Sequence, residues 1–169
     1  ARPSKIAGRT DLISEKNVPK SDQRIKAIGA VDEASASLGL ARSFTTEAQV
    51  KEMLLQVQKD LSQIMSTMAG SDQFLHSSEG QLSALEQAFA RLEDAIKQME
   101  AATVFPKEFI FSGENQLSGV LDLARTVVRR AEREVVQLYN NENSQNSLIL
   151  QYLNRLSTLC YLLELKALA

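Results

Sequence analysis

Residues 117–138 read LSGVLDLARTVVRRAEREVVQL, and their periodicity decides the fold. Leu117, Leu121, Ala124, Val128, Ala131, Val135 and Leu138 recur at alternating steps of four and three, which lines them along one face of an α-helix. Upstream, Val50, Leu54, Val57, Leu61, Ile64 and Met68 keep the same steps between Glu47 and about Ala69. Leu82, Leu85, Phe89, Leu92, Ile96 and Met99 repeat them. From Asp22 to about Phe44 a helical pattern carried by Ile25, Ile28, Val31 and Leu38 is interleaved with small residues between Ala27 and Ala41, which let another helix approach closely. Downstream, Ser147 to Leu168 is apolar on more than one face, which predicts the most buried helix or one partly in a subunit interface. Residues 1–21 are polar and show no sustained period, so they read as a loop or arm. The expectation is a single all-α domain over residues 1–169, with an N-terminal arm (1–21) and a five-helix bundle (22–169).

Composition agrees with that class. A chain of 169 residues buries roughly 70% of its unfolded surface, enough for a core without staples. The 19 basic and 21 acidic residues are spread along the chain, so no basic domain exists to track a nucleic-acid backbone. Cys160 is the single cysteine, which excludes an intrachain disulfide, and it sits in an apolar run where it reads as a buried small hydrophobe. The most apolar stretch, Leu156 to Leu163, is too short to span a bilayer. No apolar signal core occupies the first thirty residues, and a cytoplasmic protein is expected.

Seam residues say nothing about chemistry; function has to come from residues that break the pattern. A di-iron bundle needs two Glu-x-x-His pairs, and this chain has one histidine, His76. Cys160 and His76 lie in different segments, so a thiol nucleophile is discounted. The break falls on the fourth helix, where Arg125, Arg129 and Arg133 recur every four residues among Asp122, Arg130 and Glu132. Arg125 and Arg129 lie on one flank beside the seam, whereas Arg130 points roughly opposite it. Like charges at this spacing repel by a few tenths of a kcal/mol per pair. Two readings follow: an ion-paired solvated face, with Asp122 and Glu132 three residues from Arg125 and Arg129, or a row awaiting an external carboxylate or polyphosphate.

Three blocks add a family resemblance. Residues 109–134 read FIFSGENQLSGVLDLARTVVRRAERE, residues 152–157 read YLNRLS and residues 29–39 read GAVDEASASLG. Together they resemble the ATP:cob(I)alamin adenosyltransferases of the diol-utilisation type, over most of the chain from Lys20 to about Leu163. The resemblance implies a five-helix bundle of ferritin-like up-and-down topology, assembled as a homotrimer with an active site at each subunit interface. The implied reaction moves the 5′-deoxyadenosyl group of ATP to the cobalt of cobalamin, with Mg²⁺ present and triphosphate released. By position, Arg129 and Glu132 contact ATP, Asn154 helps to fix the nucleotide and Arg133 belongs to the same set. Arg125 is expected to pair with Asp32 of a neighbouring subunit, and Phe109 to cover the lower face of the corrinoid.

The resemblance also implies a flavoprotein reductase and an adenosylcobalamin-dependent mutase as partners. A different class of reading keeps the trimeric bundle as a non-catalytic corrinoid binder or carrier. At the N-terminus, Gly8, Thr10, Leu12, Val18 and Lys20 follow the order of the family's phosphate-binding arm, with Gly8, Thr10 and Lys20 the implied nucleotide contacts. Ser14 and Glu15 replace later glycines, Asn17 stands where a basic residue is usual, and Ser35 replaces the usual Asn after Asp-Glu. An uncompensated Glu15 charge predicts a weaker hold on triphosphate.

Overall fold

The computed structural model describes residues 6–70, 83–108, 110–140 and 148–169. Their elements are a short hairpin, β1 (Arg9–Thr10) and β2 (Val18–Pro19), followed by α1 (Gln23–Phe44), α2 (Ala48–Met68), α3 (Ala84–Ala102), α4 (Gln116–Asn140) and α5 (Leu148–Leu168). The five helices match the five periodic segments. Leu82, assigned by periodicity to the third seam, and His76 lie outside the described residues.

Local chemistry sets the helix starts. Asp22 accepts from the Arg24 backbone N–H at 2.9 Å to cap α1, and Ser83 with Glu86 forms a reciprocal capping box on α3. Asn115 serves α4, its side-chain oxygen accepting from the Ser118 N–H at 2.9 Å. The seams then build one core. Leu121, Ala124, Val128, Ala131, Val135 and Leu138 of α4 are all buried, and α1 buries Ala27, Ala30, Val31, Ala34, Leu38 and Ala41. As the small residues of α1 suggest, α1 and α4 pack closely along one another.

The order of the helices around the bundle is not their order in the chain. α4 lies between α1 and α5, α2 packs on the far side of α1, and α3 packs on α5. The α3–α4 connection passes over the C-terminal end of α5. α5 is the most enclosed helix: Ile149, Tyr152, Leu153, Leu156, Leu159, Cys160, Leu162, Leu163 and Leu165 are all buried. Among the described residues, no helix is long and apolar enough to cross a membrane.

A hairpin in the arm was not expected, because two-residue strands leave no periodic trace. Leu12 and Val18 are buried, and the Ser14 N–H donates to the Ala69 carbonyl at the end of α2, at 3.1 Å. Gly70 makes that docking possible. Its φ is +100°, and a Cβ there would stand 2.2 Å from the Ser14 hydroxyl oxygen.

One buried carboxylate ties three helices together. Asp60 of α2, 2% exposed, accepts from the Tyr152 hydroxyl of α5 at 3.0 Å, from Arg91 of α3 at 2.9 Å and from Gln56 at 3.0 Å. Burial, and then the Asp60 carboxylate, push the Tyr152 phenol well above its usual range. Asp60→Ala leaves that buried hydroxyl without its acceptor, whereas Arg91, with about half its side chain exposed, stays solvated. The expected loss is about 2 kcal/mol in urea unfolding. A change below about 0.5 kcal/mol, the size of an ordinary surface substitution, would show that the tie contributes nothing.

Candidate active site

Packing between α1 and α5 turns the arginine flank of α4 toward α5. On α5 the residues met there are Asn154, Ser157, Thr158, Tyr161 and Glu164, a polar stripe at helical spacing on an otherwise apolar helix. Two depressions form along this line. The larger, about 760 Å³, is lined by Asp122, Arg125 and Arg129 of α4, by Ser157, Thr158, Tyr161 and Glu164 of α5, and by Glu108, Ile110, Phe111 and Ser112 of the α3–α4 connection. The smaller, about 330 Å³, is lined by Arg129, Glu132, Arg133, Val136 and Asn154. Arg129 belongs to both walls.

The arginines of α4 have different partners. Arg125 donates to Asp122 Oδ1 through Nε at 2.9 Å and Nη2 at 2.6 Å. Arg130, on its own side of the helix, meets Glu33 of α1. Arg133 Nη1 donates to the Arg129 carbonyl at 3.2 Å. Glu132 would balance Arg129 on a solvated, ion-paired face, but it accepts instead from Asn154 Nδ2 at 3.0 Å. Among the described residues Arg129 has no acidic partner. The ion-paired reading thus holds for Arg125 and fails for Arg129, whose exposed guanidinium faces two clefts.

Glu164 was not anticipated from sequence. It is 3% exposed and accepts from the Ser112 hydroxyl at 2.6 Å. Burial raises its carboxyl above the usual range, against the opposing effect of the Ser112 bond. A signal for it existed, since Asn154, Ser157, Thr158, Tyr161 and Glu164 repeat at steps of three, one, three and three in an apolar run. Only the packing of α4 shows that this stripe faces a cleft.

Other expected site residues stand apart within one chain. Asp32 is exposed on α1 and lines neither cleft. Gly8, Thr10 and Lys20 lie in or beside the hairpin and line neither cleft. Phe109 lies outside the described residues. The expected liability at Glu15 is compensated locally: Arg24 donates to it at 2.5 Å and also meets Asp22 at 3.3 Å. Asn17 occupies a left-handed backbone position at φ 60°. Its N–H donates to Asp11 at 2.9 Å, and its carbonyl accepts from Arg9 at 2.8 Å. The arm is thus an ordered turn in which these side groups hold one another.

The bundle thus places an arginine with no acid partner among the described residues on the wall between a polar recess and a larger, partly apolar cleft. The family model of cobalamin adenosyltransferase matches residues 5–167, and the chain belongs to that family. It is 31% identical over 157 residues to the corrinoid adenosyltransferase PduO of Citrobacter freundii, covering 93% of this chain and 46% of that protein. It is 33% identical over 163 residues to a corrinoid adenosyltransferase of Mycobacterium bovis, covering 93% and 82%. The chain therefore spans about half the length of the PduO relative but most of the other. A variant of the PduO-type ATP:corrinoid adenosyltransferase of Lactobacillus reuteri, solved with cobalamin and ATP, matches at a TM-score of 0.78 and 30% identity, over 95% of this chain and 88% of that one.

Cys160 plays no part in this site. Its thiol is 1% exposed, and burial pushes its pKa up to about 12, so at pH 8 only about one thiol in ten thousand is thiolate. Iodoacetamide at pH 8 is expected to leave the native protein unlabelled and to modify it fully after unfolding in guanidinium. Rapid native labelling, followed by mass spectrometry, would contradict the burial.

Proposed function

We propose that this chain transfers the 5′-deoxyadenosyl group of ATP to the cobalt of a reduced corrinoid, cob(I)alamin. The single observation that carries the reading is Arg129, which has no acid partner among the described residues and stands on the wall common to both clefts. An electron pair on Co(I) attacks the ribose 5′ carbon, the C5′–O bond breaks, and triphosphate departs with that bond's electrons. Cobalt rises formally from Co(I) to Co(III). The nucleophile is the metal of the substrate, so the chain has no need of a general base.

The protein's tasks are to align the two reactants and to stabilise the leaving charge. Arg129 faces the departing triphosphate, and Arg133 adds positive charge on the same side. Asn154, by donating to Glu132, fixes the carboxylate that lines the nucleotide recess. The larger cleft takes the corrinoid, with Ile110 and Phe111 as apolar lining, and Phe109 is the ring we place at its lower face. Among the described residues no three His, Cys, Asp or Glu side chains are placed together to hold a metal. Mg²⁺ travelling with ATP would share the neutralisation of triphosphate with Arg129.

A homotrimer completes the reading. Asp32 is exposed, and Arg125 keeps about a third of its side chain exposed beside Asp122, which leaves both open to a neighbouring subunit. The arm of residues 1–21, with Gly8, Thr10 and Lys20, would reach a nucleotide in the same way. The cytoplasm is the assigned compartment, with a flavoprotein reductase supplying Co(I) and an adenosylcobalamin-dependent mutase using the product.

The direct test follows the corrinoid absorbance band when cob(I)alamin is mixed with the protein, ATP and Mg²⁺. Conversion to adenosylcobalamin is expected; binding of both ligands without conversion would leave a corrinoid carrier. Arg129→Ala should lower the turnover number by at least about a hundredfold, the usual effect of removing one charge stabiliser, with helicity and assembly unchanged. A near wild-type rate would remove Arg129 from the leaving-group role. Asp32→Asn is expected to weaken corrinoid binding, and an unaltered affinity would reduce Asp32 to an ordinary surface residue.

A further inference from the structure

Two hydrogen bonds among the described residues fasten the α3–α4 connection to the last turns of α5. Asn115 Nδ2 donates to the Ala167 carbonyl at 2.8 Å, where Asn115 also caps α4. Ser112 Oγ donates to Glu164 Oε1 at 2.6 Å. Between them the chain turns through Gly113 at φ +111°. The first contact belongs to the helix start and holds the end of the connection whatever lies in the cleft. The second acts on the segment Ile110, Phe111 and Ser112, which forms a lip of the larger cleft beside the C-terminal turns of α5.

Glu164 is an expensive residue at its position. Its neighbours Leu162, Leu163 and Leu165 are buried, and it is itself 3% exposed. A buried carboxyl needs partners to offset its desolvation, and a leucine would fill the same helix face without that cost. Its hydrogen-bond partner among the described side chains is Ser112 of the α3–α4 connection, which lines the same cleft.

We propose that Glu164 is a positioning residue which, through Ser112, sets the position of the Ile110–Ser112 lip and thereby the fit of the corrinoid cleft. This rests on the reading of that cleft as the corrinoid site. Glu164 itself belongs to the wall of the larger cleft and acts on the lip through Ser112, while it does not line the nucleotide recess around Glu132, Arg133 and Asn154.

The test compares Ser112→Ala, Glu164→Leu, Glu164→Gln and the Ser112→Ala/Glu164→Leu double variant. Loss of a hydrogen bond to a carboxylate should raise the KM for cob(I)alamin about tenfold in Ser112→Ala and Glu164→Leu, with the KM for ATP unchanged. The double variant should be no worse than either single one, because both remove the same contact. Glu164→Gln keeps an oxygen to accept from Ser112 and should recover most of the lost affinity. An unchanged corrinoid KM in Ser112→Ala, or equal effects on both substrates, overturns the proposal. Hydrogen exchange of the amides of residues 110–113, measured without any ligand, separates this from the functional reading. Faster exchange in Ser112→Ala is expected even if the wild-type protein transfers no adenosyl group. Unchanged exchange shows that the contact does not hold the lip.

Discussion

The apolar seam of α4 is held from both sides, by the small residues of α1 and by the leucines of α5, and this sandwich orients everything else. Burial of Leu121, Ala124, Val128, Ala131 and Val135 fixes the rotation of α4 about its own axis. A turn of one residue, about 100°, would carry the seam out of the core, so the arginine flank has one allowed direction. That direction faces the polar stripe of α5. The two clefts and the shared arginine follow from a rotation that hydrophobic burial alone determines.

Polar contacts then refine what burial permits. Asp60, Tyr152, Arg91 and Gln56 tie α2, α3 and α5 together, and Arg155 meets Glu93 to bind α5 to α3 a second time. These ties sit on the side of α5 away from α4. They hold the helix that carries the polar stripe without using any group of that stripe. Charges are thus separated by helix face: paired acids and bases brace the bundle, while Arg129 has no acid partner among the described residues. An uncompensated charge of this kind is stable because it is exposed to water until a ligand displaces that water.

The arm shows how a local compensation alters a motif's meaning. Glu15, in the stretch that the resemblance makes a phosphate-binding arm, suggests repulsion, yet its carboxylate is engaged by Arg24, which also holds Asp22 at the start of α1. The same residues order the hairpin and dock it on α2 through Ser14 and Gly70. Departures from the family's pattern here serve to build a folded turn, and their charges largely cancel within it.

The sequence by itself determined the five helices, their buried faces and the family. These depend on periods of three and four residues and on contiguous motifs, which are local properties of the chain. It also singled out the arginine row, because like charges stacked along one helix call for a partner, and the family resemblance added Asn154. It left open which arginine lacked that partner, since Asp122 and Glu132 are equally spaced from Arg125 and Arg129. Tertiary structure decided this by bringing Asn154 of α5 to Glu132 and leaving Asp122 to Arg125. It likewise decided the order of helices around the bundle, the docking of the hairpin and the place of Glu164, all of which join residues far apart in the chain. Such contacts depend on which faces meet after packing, and a one-dimensional pattern carries the faces without their pairing.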